Sequence, residues 1–396
     1  MLRKTLSGLA LGATVWLAFL PHHAAATEGD RLDFKYMYYW DRNDVWNHSP
    51  VFSWVKSLTG AWKFRWNQEF DVVSGASRRL GLRNIGQQGD NNLNIDAISG
   101  ATRREVRHSE QATASYADQG RSASASMYFS DESDYTSYSP AVSASWDFNK
   151  RNTTLGTGLA VFLDDLHPLG AFAPLGGSRR ITSLFFTLAQ TVTPLSLAGI
   201  TLNAIHSTGV LGHPYNPVVL EGGNLVVENL PDAKVGLALT GQWIQGFHLG
   251  QRLGSVHFEA RHYRDTWLQN SNTADIQWYQ YLTEGTHVRL RARAYSQGKA
   301  AFARDSYRGD EVYRTADIRY YKFASLLMGV KLASVFPESW GASAVLPDRW
   351  DISYDSGPRD TPGDADGVNP FTRYQLFSSN AKYWQGTFMV GLGFNL

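Results

Sequence analysis

Trp62-Lys63-Phe64-Arg65-Trp66-Asn67-Gln68-Glu69-Phe70-Asp71 changes character at every second residue. Successive side chains of an extended strand point to opposite faces. Trp62, Phe64, Trp66 and Phe70 therefore share one face, interrupted only by Gln68. Lys63, Arg65, Asn67, Glu69 and Asp71 share the other. A water-soluble sandwich would bury the apolar face. A membrane barrel would turn it toward lipid and line its lumen with the charges.

The same alternation recurs in both directions. Phe34, Tyr36, Tyr38 and Trp40 oppose Asp33 and Lys35, while Val142, Ala144, Trp146 and Phe148 oppose Ser143, Ser145 and Asp147. Val235, Leu237, Leu239 and Trp243 oppose Lys234, Thr240 and Gln242. Val288, Leu290, Ala292 and Ala294 oppose His287, Arg289, Arg291 and Arg293. Three arginines would then climb one inner wall, either as an anion path or as partners for lumen groups such as Glu259 and Asp317. Ala316, Ile318 and Tyr320 opposing Asp317 and Arg319 read as one more strand. Loops are expected at 167–178, around His213-Pro214-Tyr215-Asn216-Pro217, and over 337–370, the last interrupted by a strand at 350–354. Phe388, Val390, Leu392, Phe394 and Leu396 alternate to the last residue, similar to the C-terminal signal read by the outer-membrane barrel assembly machinery. At ~9–11 residues per crossing, these segments make roughly 14 to 18 strands. Bacterial barrels close with an even number, so about 16 are expected. The fold class is all-β: a transmembrane antiparallel β-barrel.

Composition agrees with that class. Aromatic residues reach 13% of the chain, as expected of a barrel with an aromatic girdle at each membrane interface. Arg3 and Lys4, an apolar run from Leu6 to Leu20 and the small residues Ala24-Ala25-Ala26 read as a cleaved signal peptide over 1–26. Residues 27–396 then form the barrel, placed in the outer membrane of a Gram-negative bacterium. The absence of Cys from all 396 residues removes disulfides, thiolate metal sites, iron–sulfur clusters and c-type haem attachment. A net charge of +1 gives no basic footprint for nucleic acid.

Where the opening stretch ends, a phrase begins that occurs twice. Asp71-Val72-Val73-Ser74-Gly75-Ala76-Ser77 is followed by Arg78, and Asp96-Ala97-Ile98-Ser99-Gly100-Ala101-Thr102 by Arg103. Both read D-x-x-S-G-A-[S/T]-R. Two independent matches would arise in about one chain in a million at ordinary residue frequencies, a figure that local duplication relaxes. The last specified position is always an aliphatic hydroxyl. Gly75 and Gly100 allow a partner to approach the backbone closely, and Ala76 and Ala101 add no bulk beside that hydroxyl. The polar, Gly- and Asn-rich residues 81–94 make the span between the phrases a loop. The plain alternative is that Ser-Gly-Ala is turn chemistry.

The phrase resembles the acceptor motif of periplasmic flavin transferases of the ApbE type, at every specified position of both copies. Such enzymes split FAD and join FMN, through its phosphate, to the final Ser or Thr. The resemblance implies covalent FMN on Ser77 and Thr102, with Asp71 and Asp96 helping to orient the acceptor, and Ser74 and Ser99 as motif positions. Paired phrases within a barrel also resemble the outer-membrane family filed as domain of unknown function 3570. That resemblance implies a flavin transferase and a thioredoxin-like periplasmic protein as companions. The chain would be an electron carrier with a flavin-acceptor loop region at 71–103 and no catalytic side chains of its own. The alternatives are a porin or transporter without redox role, and a structural scaffold.

Other constellations carry less. The 11 histidines are scattered, with His257 and His262 on different faces of one strand, so no metal site is expected. Gly363-Asp364-Ala365-Asp366-Gly367 resembles part of a calcium loop but lacks the downstream Glu. Asp164, Asp165 and His167 have no nucleophile motif beside them. The many Trp and Tyr are accounted for by the girdles.

Overall fold

The computed structural model describes residues 30–41, 46–74, 104–169, 174–213, 217–304, 306–336, 348–359 and 383–395. The expected signal segment at 1–26, the calcium-loop-like stretch at 363–367 and Leu396 lie outside them. The first half of the wall is β1 (Arg31–Asp41), β2 (Trp46–Thr59), β3 (Trp62–Ser74), β4 (Arg104–Asp118), β5 (Arg121–Glu132), β6 (Tyr135–Phe148), β7 (Thr153–Leu166), β8 (Gly177–Thr193) and β9 (Ser196–Gly209). A small hairpin, β10 (Pro217–Val219) with β11 (Leu225–Val227), interrupts it. The wall resumes with β12 (Ala233–Leu249), β13 (Arg252–Asp265), β14 (Asn270–Tyr281), β15 (Thr286–Gln297), β16 (Phe323–Val335), β17 (Arg349–Arg359) and β18 (Tyr383–Asn395).

Sixteen of these strands form one closed antiparallel ring, each paired with its neighbours along the chain. The ring is sealed where β1 meets β18, from Arg31↔Asn395 to Asp41↔Gln385. Closure leaves no unpaired edge, which hydrocarbon surroundings require of any strand structure. The expected strand number is met.

Side chains sort by face as the alternation predicts. Phe34, Trp62, Val142, Phe186, Leu202, Leu239 and Met328 stand exposed on the outside, whereas Ser49, Asp71, Ser137, Asp164, Thr240 and Asp275 are buried in the lumen. This inverts a water-soluble protein. Baring such a set to water would cost about 1.5–3 kcal/mol for each large apolar side chain. Cross-strand hydroxyl pairs line part of the interior: Ser122–Ser145 and Ser124–Ser143 at 2.7 Å, and Thr187–Thr201 at 2.9 Å. The seam needs glycine at two inward positions. A Cβ on Gly391 or Gly393 would collide with Asp351 or Arg349. Arg349 reaches over β18 to Asp33 on β1 (3.6 Å), whereas Asp351 pairs with Lys331 on β16 (2.5 Å).

The two rims differ. At one, β2–β3, β4–β5, β8–β9 and β12–β13 are joined by two residues each, and Arg31 and Asn395 lie at this end. At the other lie the connections 75–103, 210–232, 298–322 and 360–382. Two of these long connections are described in large part, and they pack together. Leu211, Trp267, Ala300, Ala303, Tyr320 and Tyr321 form one buried cluster, and Val218, Tyr307 and Ala316 a second.

This cap corrects one expectation: 316–320 is not a wall strand. Five alternating residues are too few to cross a membrane. Asp317 instead accepts the Arg319 backbone N–H at 2.9 Å and its Nε at 2.6 Å, side-chain chemistry that favours a turn over a ladder. Residues 318–320 accordingly make one short 3-10 turn. The wall strand is the following β16. The strand expected at 350–354 is the longer β17.

Leu202, midway along β9, tests the inverted arrangement. Leu202→Arg should lower the unfolding free energy in lipid vesicles by about 2–4 kcal/mol, read from denaturant titration. An unchanged midpoint would argue that this face does not meet lipid.

Candidate functional site

Two regions at the long-connection rim bear on function: the strand ends that carry the repeated phrase, and a cavity beneath the cap. β3 does not leave the wall at Asp71, as its sequence position suggested, but runs on to Ser74, whose backbone partner is Arg104. The β-branched pair Val72-Val73 extends the strand. Asp71 thus faces the lumen, 5% exposed. It pairs directly across β4 with Arg107, forms an ion pair with its guanidinium, and accepts hydrogen bonds from the Ser49 hydroxyl and, at 3.3 Å, from Asn47 Nδ2. Glu69 approaches the same arginine at 3.8 Å. The first residue of the first phrase is therefore a member of a buried wall network. Ser74 is in the strand, while Gly75, Ala76, Ser77 and the whole second phrase (Asp96, Ser99, Gly100, Ala101, Thr102) lie outside the described residues.

Arg107 also lines a lumen cavity of about 380 Å³. The cavity runs under the cap: Arg107 on β4 and Arg319, from the connection after β15, stand on nearly opposite sides of the ring yet share it. Five cations line it, namely Arg107, Arg179, Lys234, Arg261 and Arg319, against the carboxylates Glu132 and Asp164. Phe162, Ile181, Ile205, Leu211 and Trp267 supply apolar surface.

Three of the cations are neutralised. Arg107 has Asp71, Arg179 holds Asp164 at 2.6 Å, with Ser137 also donating to that carboxylate at 2.7 Å, and Arg319 pairs with Asp317. The other two are not closely matched. Lys234 lies 3.9 Å from Asp265 and 4.9 Å from the centre of the Trp267 ring. Arg261 has no ion pair among the described residues; its Nε makes no hydrogen bond, and its guanidinium lies 5.6 Å from the Tyr263 ring.

The arginine row is inward-facing, but its partners differ from those expected. Arg291 is bonded to Asp275 (2.6 Å), Arg293 approaches the same carboxylate at 4.0 Å, and Arg289 lies 3.6 Å from Asp355. Glu259 instead accepts from Gln242, and Asp317 belongs to the cap. The register decides this, because Asp275 is directly opposite Arg293 and Asp317 is not in the wall.

The cap is pinned by Glu228. It accepts the His213 backbone N–H at 2.6 Å and the Thr315 hydroxyl, which ties 210–232 to 298–322. Burial and the neighbouring Asp317 push the Glu228 carboxyl up to about 8, against the two hydrogen bonds, which favour its charged form. Reading the sequence did not single out Arg107, Arg179, Lys234, Arg261 or Arg319 as one group. They come from separate segments: the alternation put Lys234, Arg261 and Arg319 opposite apolar faces, but nothing in it joined them to one another or to Arg107 and Arg179.

Two outcomes follow from these networks. Asp71→Ala leaves Arg107 without its main charge partner and should destabilise the barrel by about 3–5 kcal/mol, whereas adding Arg107→Met should recover part of that loss in a double-mutant cycle. The fold favours protonated Glu228, so its contribution to cap stability is full below about pH 4.5, its ordinary value, and is lost as pH rises through about 8. Hydrogen exchange, corrected for intrinsic rates, should show 217–232 and 306–322 losing protection between pH 6 and 9. Glu228→Gln should flatten that profile.

Known structures share the barrel at very low identity. A bacterial polysaccharide outer membrane secretin superposes with a TM-score of 0.52 at 7% identity, covering 94% of this chain and all of the other. CdiB from Acinetobacter baumannii superposes with a TM-score of 0.55 at 8% identity; 93% of this chain is covered but only 61% of CdiB. These likenesses show an outer-membrane-type fold and nothing finer. No functionally curated protein matches the chain. Residues 6–365 match the family described as Protein of unknown function (DUF3570), and with nearly the whole sequence covered, this chain belongs to that family.

Proposed function

We propose that the protein is an outer-membrane barrel carrying FMN in phosphoester linkage on Ser77 and Thr102, and that it passes electrons between the periplasm and the outer membrane or exterior. The observation that carries this reading is the phrase D-x-x-S-G-A-[S/T]-R, present twice, the first copy starting within β3 and the second ending at Arg103, just before β4. The acceptor hydroxyl attacks the FMN phosphorus of FAD, loses its proton and displaces AMP; a periplasmic transferase of the ApbE type supplies the catalysis. Attached FMN would supply the reversible electron chemistry that a chain without cysteine does not provide through thiols or iron–sulfur clusters.

Chain connectivity adds support. Ser77 is three residues beyond Ser74, and Thr102 two residues before Arg104. The described residues on either side of the phrases, Ser74 and Arg104, are at the long-connection rim. Barrels of this class keep short turns in the periplasm and long loops outside. The transferase would therefore act before the barrel is assembled in the membrane.

A porin-like reading would rest on Arg289, Arg291 and Arg293. The carboxylates Asp275 and Asp355 beside them weigh against an open anion ladder.

The test is the intact mass of the protein purified from cells that make the transferase. Two FMN-phosphoryl increments and flavin absorbance are expected, with one increment lost in Ser77→Ala, the other in Thr102→Ala, and both in the double variant. An unmodified mass, in cells where another acceptor of the same transferase is flavinylated, would overturn the reading.

A further inference from the structure

The lumen cavity is a second feature, independent of the repeated phrase. Its volume, about 380 Å³, falls in the range of sites that enclose a small organic molecule. Its wall is divided chemically. Phe162, Ile181 and Ile205 form an apolar side on β7, β8 and β9, and Trp267 adds an aromatic ring from the cap end. A water-filled pore has no use for such a surface facing inward. A ligand with a flat apolar body does.

The charge is also unbalanced in a specific place. Arg107, Arg179 and Arg319 are held by their own carboxylates, and their fields are largely spent on them. Arg261 is not: no acidic group is within ion-pair distance among the described residues, and its Nε lacks a hydrogen-bond partner. Lys234 has a carboxylate no nearer than 3.9 Å. Lys234 is the second residue of β12, at the rim, whereas Arg261 lies four residues down β13 from Asp265, the rim end of that strand. The unspent cations thus stand at two depths of one cavity, Arg261 being the deeper. Glu132 is the one lining carboxylate without an ion pair among the described residues, and it flanks the Arg107 side, away from β12 and β13.

A partly buried guanidinium with free donors is costly unless something accepts from it. A carboxylate matches its planar fork with two parallel bonds. We propose that this cavity binds a small aromatic carboxylate, with the carboxylate on Arg261 and the ring against Phe162, Ile181 and Ile205. Lys234 raises the local anion concentration near the rim. The site requires no attached flavin.

The full-length barrel in detergent, bearing Ser77→Ala and Thr102→Ala so that no flavin is attached, should be titrated calorimetrically with 2-naphthoate, naphthalene-2-carboxamide and acetate. Saturable binding of 2-naphthoate is expected, at least tenfold tighter than that of the neutral carboxamide and of acetate, which lacks the ring. Arg261→Gln should weaken 2-naphthoate at least tenfold without changing carboxamide affinity, and Arg261→Lys should recover part of the loss. Lys234→Gln should weaken it by less. Ile205→Trp, which fills the apolar side, should abolish binding of both naphthalene compounds, with an unaltered far-UV spectrum showing that the barrel remains folded. Equal affinity for the acid and the amide, insensitivity to Arg261→Gln, or no saturable binding of any probe would overturn the proposal. Because the double variant carries no attachment hydroxyl, these results are separate from the fate of the flavin reading.

Discussion

Everything in this molecule depends on the pairing of β1 with β18. A strand in hydrocarbon cannot leave its amides and carbonyls unpaired, since each bare group costs several kcal/mol. Only when the last strand meets the first is every wall strand paired on both sides. The seam is built for close approach: Gly393 leaves space on the inner side for Arg349 to reach over β18 to Asp33 on β1. Once the ring is closed, period-two alternation divides the protein into an apolar exterior and a polar interior with no further instruction.

Closure creates a second problem, which is how charges confined in a lumen are kept from destabilising it. The answer is neutralisation across strands. Asp71 with Arg107, Asp164 with Arg179, and Asp275 with Arg291 are each lumen pairs between strands. Buried pairs add little net stability, but losing one partner is expensive. They therefore act mainly to hold register, because a one-residue slip of either strand would carry its partner to the lipid face and leave the other charge alone in the lumen. Against this background Arg261 stands out by its chemistry. In a cavity whose other arginines have carboxylates, a guanidinium without one marks a place where an external anion completes the network.

The cap follows a different logic from the wall. Residues 210–232 and 298–322 bury Tyr307, Tyr320 and Tyr321 among themselves, as a small soluble domain would, and are linked through Glu228 and Asp317. Burial and the neighbouring Asp317 raise the Glu228 carboxyl above its ordinary range. The same crowding places Arg319 over the cavity, so the part that closes the lumen also lines it.

Much of the wall was legible from the residues alone. Trp62 to Asp71 is enough to read a strand with a lipid face and a lumen face, because side-chain direction in a strand depends only on parity. The number of strands follows from repeating that reading over the chain. Parity also put Arg289, Arg291 and Arg293 on one inner wall. It could not say that Asp275 and Asp355 would meet them, because cross-strand partners are fixed by register between segments remote in sequence. It failed at 316–320, where the Asp317 side chain captures the backbone of Arg319 and five residues with the right alternation become a turn. The repeated phrase, and with it Ser77 and Thr102, is a property of the sequence. That Asp71 and Ser74 belong to the wall, and that Arg107, Arg179, Lys234, Arg261 and Arg319 surround one cavity, was decided only by the tertiary structure. Closing a ring brings together residues whose spacing along the chain carries no trace of their meeting.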